Sequence, residues 1–283
     1  MSAWSLERLA RLGRPRLAGV VFAGVGAGIA CAGLLCIALM HAAAGSARAW
    51  IAFGSLSLVL AAAVWRAVAP GAAASAPPVG RLGPGIPRTA GYAVCLVFAY
   101  GALGFGYIIP ATFLPAMARE MVHDPAVFGW SWPVFGVAAA ASTVVATSLE
   151  RWAGNRRMLI GSFLIMAAGV ALPVFVPGIP GILLAALLVG GTFMVATMAG
   201  LKEAREAGAA APTRLMAAMT SAFALGQIAG PASVSLMLAA GGTVYAALLA
   251  ASCLLAVGAC VLSVVGALRS SRLRRAADER ESK

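Results

Sequence analysis

The sequence predicts an all-α integral membrane protein with eight transmembrane helices, and three observations carry that expectation. Its 283 residues are 61% hydrophobic and only 11% charged, with a mean hydropathy of +0.93. A soluble domain carries about a quarter charged residues, because its surface must face water. Second, Asp, Glu, Lys and Arg are missing from long runs, above all 158–201 and 215–268. A bilayer core needs roughly 20 helical residues, so each of these runs holds two spans. Third, of the 21 Lys and Arg residues only Arg48 and Arg119 fall on one side when alternate connections are sorted. That alternation supports an even count of eight.

The first span, 17–40, follows a basic leader with Arg8, Arg11, Arg14 and Arg16. Leader, apolar run and "HAAAGSARA" together resemble a secretory signal, but the run is too long for a signal core. The second, 49–69, uses the charge-free stretch up to Arg66. Then "PGAAASAPPVGRLGPGIPR" at 70–88 brings five prolines and four glycines, which reads as a linker rather than a packed element. Spans at 90–115 and 127–149 lie in the next two charge-free runs. "VPGIPG" at 176–181 divides 158–177 from 180–201, and "AAGGT" at 239–243 divides 214–239 from 242–267. The expected organisation is two helices in 1–69, a linker at 70–89, a six-helix bundle in 90–267 and a polar tail at 268–283. That tail reads as a frayed helix end or, less simply, a segment that binds anionic lipid.

Positive charge stays cytoplasmic, so both termini and the linker are expected inside a bacterial inner (plasma) membrane. The net charge of +12 is thereby topology, and no nucleic-acid partner is expected. Cys31, Cys36, Cys95, Cys253 and Cys260 all fall within spans and form no CxxC pair, which reads as structural filler rather than a disulfide framework. His41 and His123 fall in the outside-facing loops, and no span carries Asp or Glu away from its ends. Catalysis, a metal site or a buried proton relay would need ionisable groups at depth, so neither an enzyme nor a cofactor is expected.

What is polar at depth is uncharged and lies near prolines. In "TSAFALGQIAGPAS", 220–233, Pro231 removes the hydrogen bond to the carbonyl of Gln227, placing an amide and a freed oxygen at one level. Pro110 likewise frees the carbonyl of Gly106, beside Tyr107, and Pro133 that of Gly129. Such groups must be satisfied by protein or by cavity water. Gln227 therefore either lines a water-filled pathway or bonds to a neighbouring helix. Gln227, Tyr107, Thr220 and Thr192 are the candidate cavity residues. For Tyr107 the alternative is an aromatic-belt position, and for the threonines a bond to their own helix backbone. Gly226 and Gly230, spaced four apart, let another helix approach closely, as do Gly24 and Gly28. The loop "SLERWAGNRRM", 148–158, is either a solvated turn or a latch in which Glu150, Arg151, Arg156 and Arg157 exchange partners.

These segments carry a resemblance. "GFGYIIPATFLPAMAR" (104–119), "GGTFMVATMAGLKEAR" (190–205) and "TSAFALGQIAGP" (220–231) resemble bacterial YbfB/YjiJ-type transporters of the major facilitator superfamily (MFS). "FAGVGAGIACAG" (22–33) is similar to their fifth span. "LERWAGNRR" is similar to the second copy of the superfamily's Asp-Arg-x-Gly-Arg-Arg loop, with Glu150 for the acid and one extra residue before Gly154. "GQIAGP" is similar to the Gly-x-x-x-Gly-Pro pattern of drug/proton antiporters. The resemblance runs from about 5 to 265. It implies a partial major facilitator fold (2 + 6), in which the spans here match the fifth to twelfth and the first four are lacking. It also implies secondary active transport of a small solute by alternating access, with H+ or Na+ as the candidate coupling ion. The alternative expectation is a truncated, transport-inactive membrane protein that self-associates or needs another chain.

Overall fold

The computed structural model describes residues 9, 12–13, 17–68, 90–121, 129–207 and 212–281, without the side chains of 66–68, 90, 151 and 272–281. The expected linker at 70–89, the loop with His123 and most of the basic leader lie outside the described residues. Eight helices are long and apolar enough to cross a membrane, and no strand occurs among the described residues. They are α1 (Ala18–His41), α2 (Ser46–Val68), α3 (Ala90–Met121), α4 (Ser131–Glu150), α5 (Trp152–Phe175), α6 (Ile179–Ala207), α7 (Pro212–Ala239) and α8 (Val244–Glu281). Helical backbone is continuous over Ser131–Phe175 except at Gly154 (φ 72°, ψ 157°), a kink in the first turn of α5. Only glycine adopts that conformation without strain.

Four elements differ from the sequence expectation. α6 and α8 run past 201 and 267, to Ala207 and Glu281, because their charged last turns continue the helix as it leaves the apolar layer. α3 keeps both Pro110 and Pro115 inside a helix reaching Met121. Pro133, expected within a span, lies in the first turn of α4, where its missing N–H costs nothing. It starts a helix rather than breaking one.

Lipid tails are as apolar as leucine, so contact between these helices depends on close packing over small residues. α3 and α7 cross where a Cβ on Gly104 would overlap the backbone of Phe223, and one on Gly226 the backbone of Gly101 and Phe105. Gly230 abuts Ile108 in the same seam. α1 lies on α4 through Gly19, Gly26 and Gly33, which face Thr143 and Thr147, then Gly136 and Ala140, then Pro133. Gly24 and Gly28 look the other way, with nothing within 4 Å of an added Cβ, so the sequence picked the wrong face of α1. α8 packs on α3 and α5, with Leu255 over Gly106, Phe163 over Gly258, and Ser252 Oγ donating to Ala167 O (2.8 Å). The core centres on Leu96, Leu103, Phe163, Met166, Met198 and Leu262. α2 stands apart: it touches chiefly α1, and no residue of Ser46–Trp65 is buried.

Candidate solute pathway

The glycine seam between α3 and α7 sets up the site. With Gly226 seated on Gly101 and Phe105, the next residue, Gln227, is close enough to reach Tyr107. Gln227 Nε2 donates to Tyr107 Oη at 2.6 Å. The amide oxygen of Gln227 has no partner among the described residues.

Tyr107 lies against Phe193 of α6 (ring centroids 4.3 Å, 21° between planes) and Phe223 of α7 (5.5 Å, 10°). Phe193 and Phe223 are 6.3 Å apart at 29°. The three distances close a triangle, so the phenylalanines sit at roughly a right angle about Tyr107 and not on its opposite faces. The result is a wall of three nearly parallel, partly exposed rings. Phe135 of α4 extends it, 5.9 Å from Phe193, and Trp132 lies 5.7 Å beyond Phe135. Beside them an apolar recess is lined by Pro110, Leu114, Trp132, Phe135 and Val189.

Neither candidate threonine offers its proton to this wall. Thr192 is buried and donates to Leu188 O (2.7 Å); Thr220 is exposed and donates to Met216 O (2.9 Å). Helical geometry nevertheless puts Thr213, Ala217, Thr220, Ala224 and Gln227 along one flank of α7. Apart from the partly buried Gln227, all of them are exposed. The opposite flank shows Leu225 and Leu236, both exposed and suited to hydrocarbon.

The charged helix ends gather at the end of the bundle where α3 begins and α6 and α8 finish. Glu203 of α6 is buried there. It accepts a hydrogen bond from Tyr92 Oη (2.7 Å) and faces Arg269 Nη1 at 3.5 Å. The Arg269 guanidinium also lies 4.8 Å from the Tyr92 ring centroid. Glu150 pairs with Lys202, Asn155 Nδ2 donates to Glu206 (2.8 Å), and Arg156 Nη1 donates to Gly266 O (2.6 Å) and Ser270 Oγ (2.8 Å). Arg157 is exposed, and the Arg151 side chain lies outside the described residues. The α4–α5 turn is thus tied to two different helices, α6 through Glu150 and α8 through Arg156.

A family model described as "Uncharacterised MFS-type transporter YbfB" matches residues 1–263. The chain belongs to that family. No curated protein matches it. An MFS-type transporter needs a route for solute through its helices and a bilayer around them, and eight apolar helices provide the multi-pass frame.

Sequence reasoning missed the Tyr92–Glu203–Arg269 cluster of this MFS-type transporter. Glu203 was placed beyond the end of a span, and its partners are far away in the chain. The available signal was the four-residue spacing of polar groups in "LKEAREA", 201–207, which continues a helix past the apolar run. Glu203→Gln is expected to lower stability by about 1–2 kcal/mol, less than a fully buried pair would lose, since Arg269 remains partly exposed. Thermal unfolding in detergent measures this, with the exposed Arg157→Gln expected within about 0.5 kcal/mol of the parent.

Proposed function

We propose that the chain moves a small solute by secondary active, alternating-access transport, along the flank of α7 that carries Thr213, Thr220, Ala224 and Gln227. One observation carries this reading: the Gln227 amide oxygen is left open near the middle of α7, beside an exposed flank of small and hydroxylated residues. An unpaired amide oxygen facing hydrocarbon is costly. Water and a passing solute satisfy it. Prolines inside α3 and α7 also supply places where these helices bend as the pathway opens.

In this reading the end carrying Glu203 and Arg269 is cytoplasmic in a bacterial inner membrane, following the distribution of basic residues. Residues 1–69 and 90–267 act as two units joined by the Pro/Gly linker at 70–89. The coupling ion is H+ or Na+. Gln227 and Tyr107 contact the solute, while Thr192 and Thr220 shape the wall.

The test is aqueous access. With the five native cysteines replaced by alanine, Ala224→Cys is expected to react with a charged, water-soluble methanethiosulfonate, and Leu225→Cys on the opposite flank is expected not to. Equal protection of both positions in lipid vesicles would remove the pathway.

A further inference from the structure

We infer that the solute is uncharged and flat, with a head that both donates and accepts hydrogen bonds, as in a primary amide or lactam. This rests on the pathway reading above and names the chemistry that its wall selects.

Charge comes first. Among the described residues, Asp, Glu, Lys and Arg lie outside the long apolar stretch of each helix; the level of Tyr107, Gln227, Phe193 and Phe223 has none. A charged solute held against this wall meets no counter-charge from these helices, and uncompensated charge within a bilayer is disfavoured. A neutral solute incurs no such cost.

Shape comes from the rings. Tyr107, Phe193 and Phe223 lie within 29° of parallel. Each of the three rings is partly exposed, so part of this wall is open to a ligand. A flat, unsaturated body stacks on such a surface in the offset geometry that aromatic quadrupoles favour. A puckered saturated ring of equal size touches it with fewer atoms.

The head group follows from the unused hydrogen-bonding capacity. Gln227 Nε2 is spent on Tyr107 Oη, so the phenol has its lone pair engaged and its proton free. Gln227 Oε1 is an open acceptor. Donor and acceptor therefore sit side by side at one edge of the aromatic wall, a pattern matched by N–H and C=O on the same edge of an amide. The two threonine hydroxyls are committed to helix carbonyls and do not compete.

The probes are four compounds of similar size: benzamide, benzoate, benzylammonium and cyclohexanecarboxamide. Each is added to the Ala224→Cys protein in vesicles, and slowing of the methanethiosulfonate reaction is measured against concentration. Benzamide is expected to protect saturably, with a midpoint about 10-fold or more below those of the other three. Adding Gln227→Leu is expected to abolish that protection, and adding Tyr107→Phe to raise the midpoint about 5-fold or more. Protection by benzoate or benzylammonium at the same midpoint would overturn the neutral solute; equal protection by cyclohexanecarboxamide would overturn the flat one. Benzamide protection that survives Gln227→Leu would overturn the proposed head contact. Labelling with no protection by any probe overturns the inference and leaves the pathway standing. No labelling at Ala224→Cys removes the pathway itself.

Discussion

Gly226→Leu is expected to destabilise the helical bundle by at least about 3 kcal/mol, the upper end of what overpacking costs. Most overpacked sites relax by turning a flexible side chain aside. Here the added atoms would meet backbone, the carbonyl oxygen of Gly101 and the nitrogen of Phe105, and backbone of α3 cannot turn aside without unravelling its own hydrogen bonds. Even Gly226→Ala meets those atoms and is expected to cost about 1 kcal/mol or more. Three residues further, Gly104 presents the reciprocal contact with Phe223, so relief on one side tightens the other. Melting temperature and the monodisperse fraction in detergent report the loss. Ala224→Leu, on the exposed flank of the same helix, is the control and is expected to shift stability by no more than about 0.5 kcal/mol. If Gly226→Leu melts with the parent protein, α3 and α7 do not cross at this point and the Gln227–Tyr107 pair loses its support.

The same crossing explains how much of the site was legible in the sequence. Gln227 stood out as an amide in an apolar run, Tyr107 as an aromatic beside a proline, and Gly226 as a place for close approach. Each is a local signal. Their meeting is not local: 120 positions separate Gln227 from Tyr107, and Phe193 comes from a third helix. Two readings of Gln227 were open, glue between helices or an amide lining a pathway. In the structure the nitrogen bonds across to Tyr107 of α3, and the oxygen has no partner among the described residues.

Span number was legible because hydropathy is a property of each segment alone and the bilayer imposes one length on all of them. Helix ends were less so. The apolar run stops at Leu201, but α6 continues to Ala207 because Glu203 is received by Tyr92 and Arg269 from elsewhere in the chain. Hydropathy cannot show a buried carboxylate whose partners lie 111 and 66 residues away. The face of α1 was misread for a related reason. "AGVGAGIA" offers a four-residue glycine spacing at Gly24 and Gly28, and a seven-residue spacing through Gly26 runs alongside it. Both permit close approach, and only the position of α4 decides between them.

That choice of face makes Gly26→Leu the sharpest test of how α1 and α2 are held to the six later helices. α1 meets the six-helix block chiefly along α4, with a lesser contact to α6. Along that seam a Cβ on Gly26 would overlap the backbone of Gly136 and Ala140, while Gly19 and Gly33 sit one step of seven residues to either side. A leucine at the centre lifts α1 off α4 over its whole length, since the contact is backbone against backbone with no long side chains to bridge a gap. α2, bare along Ser46–Trp65, adds little to hold the pair in place. With a protease site inserted in 70–88 and cleaved in detergent, the parent halves are expected to stay together. Gly26→Leu is expected to weaken their association about 100-fold, the equivalent of about 2.7 kcal/mol, so that the halves separate on a sizing column. The six-helix half should keep its own melting transition, because the α3–α7 and α5–α8 contacts do not involve α1. Gly24→Leu has open space around it and is expected to leave the halves together. Separation by Gly24→Leu, or continued co-elution of Gly26→Leu, would mean that the two cleaved pieces meet along another surface.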